Sequence, residues 1–509
     1  MSRKPHLILL VAVLLFVVLR YPLLENHPGI QDEQWFAIPG YTMWTEGVPR
    51  IPYLPSRIRS SFFENADVCM MALPPGLAFA QAPFFAVFEP GYPTARLPVF
   101  LAAIGTIIVA YLLARLLGLK ERVAGGVAIL IALSRPLLFA GLTSRPDALC
   151  IFFGILCSYW LSKQVLGLAD ASPSMRSKNM AVFFAGLFCG LAGLCHPLAI
   201  VFAMQSGVTL LFIGGGPKRI VIALCLFALG ALLGIAPWLP YVLTYSYEFN
   251  SQFMANVLDR AGPGLFARLL WPFPSLVHHA GLLLALLGPA QLALLATAMI
   301  AGTIAVIRSR SLSHRSRLLV TFYAWSGLYF TATAAGRHPS QLYWLYAFVW
   351  CMIFGAVGVN AAIEWMREKY ANRTKQALMG IGIAACIAVM MPGAGLRTWL
   401  TYVTHWKDAR YNGQAFIAEV LSDIPKDAEC CVDVSYVFDV YLSGRPTRLC
   451  AHRQGMWGDE EIEYDFLLIA WEGADGDWAN QYEARFVKRY GSDTSPQECY
   501  VDLFVPANQ

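Results

Sequence analysis

Asp32-Glu33 is the pair of side chains in this sequence best placed to do chemistry, two adjacent carboxylates just beyond the first apolar run and within a loop over residues 26–95. A carboxylate at a membrane surface can act as a general base, taking the proton from an acceptor hydroxyl or amine as it attacks an activated carbon. Alone, Asp32 reads more simply as a solvated loop carboxylate. The cations that lie in or border the outward segments, Arg57, Arg59, Arg96, Arg145, His196 and Arg260, change that reading. Basic residues are normally depleted from the outer side of a membrane protein. Guanidinium forks there suit a phosphate at headgroup level, which they grip bidentately. A base beside a cationic phosphate site is the equipment of a transferase whose leaving group is a lipid phosphate.

The elements that must position these residues are membrane helices. The chain has 509 residues, 57% hydrophobic and 14% charged, with a mean hydropathy of +0.52. Soluble proteins carry about 25% charged residues, so an ordinary soluble protein is excluded. The first span begins at Leu7 behind Arg3 and Lys4. It stays uncleaved, because Arg20-Tyr21-Pro22 stands where a signal peptidase needs small residues. Further spans fall near 96–117, 120–138, 148–165, 180–195, 198–214, 219–240, 280–306, 318–335, 342–364 and 376–394. The expected architecture is thus a polytopic all-α membrane protein of about eleven transmembrane helices.

The basic residues support this parity. From Arg115, Lys120 and Arg122 to Arg367, Lys369, Arg373 and Lys375 they fall in alternate short connections, which the positive-inside rule assigns to the cytoplasm. A cytoplasmic N-terminus then places Asp32-Glu33, the Arg145-Pro146-Asp147 loop and the C-terminal tail together outside an inner or plasma membrane. Leu73 to Phe88 is apolar but short, begins with Pro74-Pro75 and contains Gln81 and Pro83. It reads as a re-entrant or interfacial helix, since a twelfth span would put the basic loops outside. Asn372-Arg373-Thr374 matches a glycosylation sequon on the cytoplasmic side and is discarded.

Residues 1–404 form the membrane part. The tail, 405–509, holds 19 of the 33 acidic residues and 9 of the 38 basic ones, an acidic soluble unit. Phe416, Ile417, Val420 and Leu421 have helical spacing, and Cys430 to Val434, Phe466 to Trp471, Phe486 to Tyr490 and Tyr500 to Val505 read as strands, giving a small α/β domain. Cys430, Cys431, Cys450 and Cys499 share it, and in an oxidising compartment a disulfide among them is expected. No Cys or His spacing matches a zinc site. No internal repeat marks a transporter, the rival class, and no nucleic-acid partner is expected.

Asp32-Glu33-Gln34-Trp35-Phe36-Ala37, Pro74-Pro75-Gly76-Leu77, Ala95-Arg96-Leu97-Pro98 and Arg145-Pro146-Asp147-Ala148-Leu149 occur in an order and spacing that resemble the GT-C glycosyltransferases. The branch most similar contains protein O-mannosyltransferases and lipid A aminoarabinose transferases. The absence of a Trp-Trp-Asp element argues against the oligosaccharyltransferase branch.

The resemblance implies transfer of a sugar from a polyprenyl-phosphate carrier, typically with inversion, to a lipid, glycan or protein acceptor outside the cytoplasm. It makes Asp32 the base and Glu33 the residue that positions the acceptor. It places Asp147 at a second acidic position, which touches a divalent metal in some relatives; the chemistry itself requires no cofactor. It sets Arg96 and Arg260 near the carrier phosphate and adds Tyr343 and Tyr346 to the cavity wall. The chain departs from the pattern at Leu73, where Lys or His is common, and at His196, where Lys is common. His196 reads equally as a phosphate donor, whose charge follows pH near the reference value of ~6.5, and as a helix-end residue satisfied by backbone.

Overall fold

The computed structural model describes residues 7–30, 32–166, 175–213, 216–309, 312–338, 341–369, 394–451, 462–471, 477–495 and 497–507. Among them, eight helices are long and apolar enough to cross a membrane, which makes this a multi-pass membrane protein. The first is α1 (Leu7–Asn26), whose 20 residues rise about 30 Å, the thickness of a bilayer core. A short α2 (Glu33–Glu46) follows it outside the bundle, and then α3 (Gly76–Phe85). With 10 residues α3 covers about 15 Å, half of what a span needs, as the re-entrant reading of Leu73 to Phe88 requires.

The bundle continues with α4 (Tyr92–Leu116), α5 (Glu121–Leu133), α6 (Arg135–Ala140), α7 (Asp147–Leu166), α8 (Met175–Cys195), α9 (Ile200–Leu211) and α10 (Pro217–Ile235). After α11 (Leu239–Thr244) the backbone widens into a π-helix over Phe249–Asp259, followed by α12 (Leu265–Leu270). Then come α13 (Phe273–Arg308), α14 (His314–Ala335), α15 (Leu345–Lys369) and α16 (Ala394–Thr404). The expected span at 280–306 is broken instead at Gly288, where φ is 75° and Pro289 follows, so α13 is two helices across a kink. The expected spans at 120–138 and 198–214 are likewise shorter helices, and the one at 376–394 lies outside the described residues.

Small residues set the tightest helix pair. Gly186 and Gly190 of α8 face Gly230 and Gly234 of α10; a Cβ on Gly234 would stand 2.5 Å from the Leu187 carbonyl oxygen, and one on Gly186 or Gly190 would overlap the carbonyls of Phe227 or Ala231. Two small-xxx-small stripes let the backbones meet where lipid offers no hydrophobic drive for association.

The C-terminal unit carries α17 (Gly413–Ser422), α18 (Val437–Leu442) and a mixed five-stranded sheet of order β2-β1-β3-β5-β4. Its strands are β1 (Cys430–Val432), β2 (Thr447–Leu449), β3 (Phe466–Ile469), β4 (Ala484–Gly491) and β5 (Tyr500–Pro506). β1 runs parallel to β2 and β3, with Cys430 opposite Thr447 and Phe466, whereas β5 is antiparallel to β3 and β4. The strand β2 escaped sequence reading because Pro446 and Arg448 interrupt any apolar run there, whereas the equally short β1 lies in the largely apolar stretch Cys430 to Val434. No disulfide joins Cys430, Cys431, Cys450 and Cys499; the four thiols are buried and unbonded.

The composition break near 405 does not coincide with a break in the core. Phe416, Val420, Phe438, Leu449 and Val501 pack in one cluster with Trp35, Ile38, Tyr53, Phe63, Phe85 and Tyr92 from residues 26–95. Phe438 sits between the rings of Tyr92, Phe85 and Tyr41, with centroids 5.3, 6.1 and 6.3 Å away. Backbone bonds fasten the same contact, from Gly29 N to Ser435 O at 3.0 Å and from Leu449 N to Tyr53 O at 3.0 Å. The tail thereby braces both sides of the turn that carries Asp32.

Candidate active site

The adjacent acids point into different environments. Glu33, the first residue of α2, is fully buried and accepts four hydrogen bonds. Oε1 takes Arg96 Nε at 2.9 Å and Ser144 N at 2.6 Å; Oε2 takes Arg96 Nη2 at 2.6 Å and Ile30 N at 3.1 Å. Arg96, 1% exposed, spends its remaining donors on the carbonyls of Leu24, His27 and Pro28 at 2.7–3.1 Å. Every N–H group of Arg96 is thus engaged by the protein, which leaves none for a phosphate. Glu33 has no open face for an acceptor. The two roles expected for them give way to a structural one: the pair ties the start of α2 to α4 and to the loop before α7.

Asp32 has the opposite character. It precedes α2 in the left-handed region, φ 75°, with no side-chain cap bond to the helix. That conformation is strained for a residue other than glycine, although Asp tolerates it better than most, and it persists only where the surroundings enforce it. The Asp32 side chain is 34% exposed and its Oδ2 accepts from Arg145 Nη1. Arg145 also donates from Nε to Asp147 Oδ2 at 3.0 Å and lies over the Phe36 ring, 5.9 Å from its centroid. Asp147, 1% exposed at the start of α7, accepts from the Tyr346 hydroxyl at 3.2 Å through Oδ1. One guanidinium therefore bridges two carboxylates, and both oxygens of Asp147 are taken. Among the described residues no group of three His, Cys, Asp or Glu side chains could hold a metal ion.

His196 closes the next wall. Its Nδ1 accepts from Leu198 N at 3.1 Å, capping the turn Pro197–Ala199, and its ring lies 5.8 Å from those of Tyr343 and Tyr346. Burial pushes its pKa down to about 4, Asp147 raising it and Arg145 lowering it further. The imidazole is neutral at pH 7 and carries its proton on Nε2, a donor without charge. The helix-cap reading holds for one nitrogen, while the other remains a hydrogen-bond donor.

The remaining expected residues sit further round. The Tyr343 hydroxyl is 3.4 Å from His338 Nε2. Arg260, exposed at the end of the π-helix, donates to Asn256 Oδ1 at 3.1 Å and covers Phe62 with its guanidinium carbon 5.2 Å from the ring centre. Arg57 forms a fork with Asp67 at 2.5 and 2.8 Å, and Arg59 is exposed beside Glu64. The π-helix is fixed to the outer loop through Gln252, which bonds Met71 N at 2.6 Å, Glu64 O at 2.7 Å and Cys69 O at 2.9 Å.

Sequence reading missed Arg337 and His338. Gly336 has φ 61° and leaves no room for a Cβ against the Ala261 carbonyl, which also accepts from Arg337 N at 3.3 Å. This contact brings Arg337 and His338 beside Arg260. Burial pushes His338 down to about 3, with Arg260, His196 and Arg145 lowering it further. The signal available in the sequence was a Gly-Arg-His break in an apolar run just before Tyr343. Trp35, Phe36, Pro39, Met70, Leu73, Pro74, Pro75 and Pro146 are among the residues that line an open pocket, none of them charged.

This arrangement of helices, first long loop and C-terminal unit is an ArnT-like GT-C fold. The chain aligns with ArnT from Cupriavidus metallidurans bound to undecaprenyl phosphate at a TM-score of 0.64 and 15% identity, covering 99% of this chain and 98% of that one. It aligns with the archaeal oligosaccharyltransferase AglB from Archaeoglobus fulgidus, in complex with an inhibitory peptide and a dolichol-phosphate, at a TM-score of 0.52 and 11% identity, covering 98% and 74% of the two chains. At such identities the likeness is one of fold. By sequence, residues 72–242 match the family model described as dolichyl-phosphate-mannose-protein mannosyltransferase, and no curated protein matches the chain.

Proposed function

We propose that the protein transfers a hexosyl or pentosyl group from a polyprenyl-phosphate carrier to a lipid, glycan or protein acceptor at the outer face of the cell membrane, with Asp32 as general base. The observation that carries this reading is the contrast between the three acids of the constellation. Glu33 and Asp147 are buried and saturated, whereas Asp32 is partly exposed and its Oδ1 has no partner among the described residues. The undecaprenyl phosphate in the ArnT structure and the dolichol-phosphate in AglB support a polyprenyl-phosphate donor.

In the mechanism this implies, Asp32 Oδ1 takes the proton of the acceptor nucleophile as its lone pair attacks the anomeric carbon. The bond from that carbon to the phosphate oxygen breaks in the same displacement, so the configuration inverts. The lipid phosphate departs with the electron pair. Arg260 and Arg145 supply the charge that stabilises it, with donors from Tyr343 and from His196 Nε2, all preorganised by the contacts above. Arg57, already paired with Asp67, and Arg59 serve the outer rim. With the N-terminus cytoplasmic, this site and the C-terminal unit face outward.

The test is transfer of labelled sugar from a panel of polyprenyl-phosphate sugars by purified protein in lipid. Asp32→Asn should lower turnover about 1,000-fold while donor binding persists. Undiminished turnover would place the base elsewhere, and lipid flux without transfer would replace the enzyme by a transporter.

A further inference from the structure

We infer that Arg145 occupies the place of a divalent cation in this site, so that the reaction runs without a metal. The inference rests on the proposed roles of Asp32 and Asp147 in sugar transfer. Two carboxylates brought to one reaction centre repel each other and the incoming phosphate, and a cation must offset both. A bound metal or a side chain can supply it, and here the chain itself does. Arg145 donates from Nη1 to Asp32 Oδ2 and from Nε to Asp147 Oδ2 at 3.0 Å, with its side chain 11% exposed.

A metal that bridged the acids through these oxygens would compete with Arg145 for both, and magnesium, bound through one or two carboxylates together with waters and phosphates at ~2.0–2.1 Å, would have to displace the guanidinium. The other Asp147 oxygen is held by the Tyr346 hydroxyl, and His196 turns Nδ1 to the backbone of Leu198. What lies between the acids is a planar cation whose donors form a rigid fork. It performs three tasks of a metal: it orients Asp32 in its left-handed turn, neutralises Asp147, and leaves a positive edge toward the phosphate. It does not activate water, which glycosyl transfer to an acceptor does not require.

The experiment is a Mn²⁺ titration followed by electron paramagnetic resonance in lipid nanodiscs, for wild type, Arg145→Ala, Arg145→Lys and Arg145→Ala combined with Asp147→Asn. Transfer is measured in parallel with and without EDTA. Wild type is expected to show no Asp147-dependent Mn²⁺ site and no chelator effect. Arg145→Ala should gain a Mn²⁺ site that Asp147→Asn removes; its transfer should fall about 100-fold and recover in part with guanidinium ion or Mn²⁺. Should Arg145→Ala not fold, Arg145→Lys carries the test, because it keeps a charge between the acids and should bind no Mn²⁺. A chelator-sensitive wild type, a folded Arg145→Ala that gains no site, or Mn²⁺ binding by the Lys variant overturns the inference. The resonance readout needs no turnover. A gained Mn²⁺ site without transfer from any donor would sustain the cation substitution and refute the transferase, whereas EDTA inhibition of an active wild type would do the reverse.

Discussion

Replacing Glu33 by Gln changes one atom and should damage the fold more than the chemistry. Glu33 accepts two hydrogen bonds on each oxygen, all from N–H donors, with Arg96 as its bidentate partner. The Glu33→Gln side chain keeps one acceptor oxygen and turns an NH₂ group toward two of these donors, in the better orientation Arg96 Nη2 and Ile30 N. Each unsatisfied buried donor costs about 1–3 kcal/mol, and an uncompensated guanidinium more, so the sum is about 3–5 kcal/mol. No solvent relieves it, since the Arg96 and Glu33 side chains are 2% and 0% exposed. The assay is thermal unfolding of purified protein in lipid together with sugar transfer. Glu33→Gln should unfold far below wild type, and the folded fraction should retain its KM for acceptor. Arg96→Met combined with Glu33→Gln should cost less than the two single losses added, because the second change removes the stranded charge. A Glu33→Gln protein that melts like wild type but has a greatly raised acceptor KM would refute this assignment and return Glu33 to acceptor binding.

Gly190→Leu should destabilise the bundle by about 1–3 kcal/mol, because its side chain would drive α8 from α10. Gly193→Ala, whose Cβ would meet only Ile235 Cδ1 at 3.5 Å, should leave the melting temperature nearly unchanged, and equal effects of the two would contradict the close approach. Asp439 of α18 gives a pH signature. Burial pushes its carboxyl from 3.8 to about 7, with Arg96 and the Gln414 side chain opposing and Glu33 reinforcing the shift. The native state then holds a proton that the unfolded chain releases, so stability falls as pH rises from about 4 to 7 and levels off above. Asp439→Asn should therefore gain on wild type by about 4 kcal/mol between pH 4 and pH 8, and a pH-independent difference in unfolding would exclude the buried carboxyl as its source.

The residues proposed to carry the chemistry were legible because membrane solvent makes charge conspicuous. A carboxylate or guanidinium beside an apolar run is costly unless it serves something, so Asp32, Arg145, Asp147 and Arg260 stood out without coordinates. The helical bundle was legible for the same reason, since every backbone group in lipid must be satisfied within its own segment. The strands at Cys430, Phe466, Phe486 and Tyr500 followed from their apolar runs, while β2, where Pro446 and Arg448 interrupt any such run, left no such trace.

Which acid meets Arg145 and which Arg96 was not legible. Asp32 and Glu33 are neighbours of the same chemical type, and only the left-handed turn at Asp32 directs one toward Arg145 and the other into the bundle against Arg96. Whether a cation meets phosphate or protein depends on where its donors point: Arg96 ends among three carbonyls and a carboxylate, and Arg260 at an open rim. Nor did composition foresee that the acidic tail completes the core of the first outer loop, because that contact joins Gly29 to Ser435 across some four hundred residues of chain. Residue types and local periodicity determined the membrane class, the helices and the stock of reactive groups. Hydrogen bonds between segments distant in sequence, which no local pattern encodes, decided which of those groups hold the fold and which remain available to react.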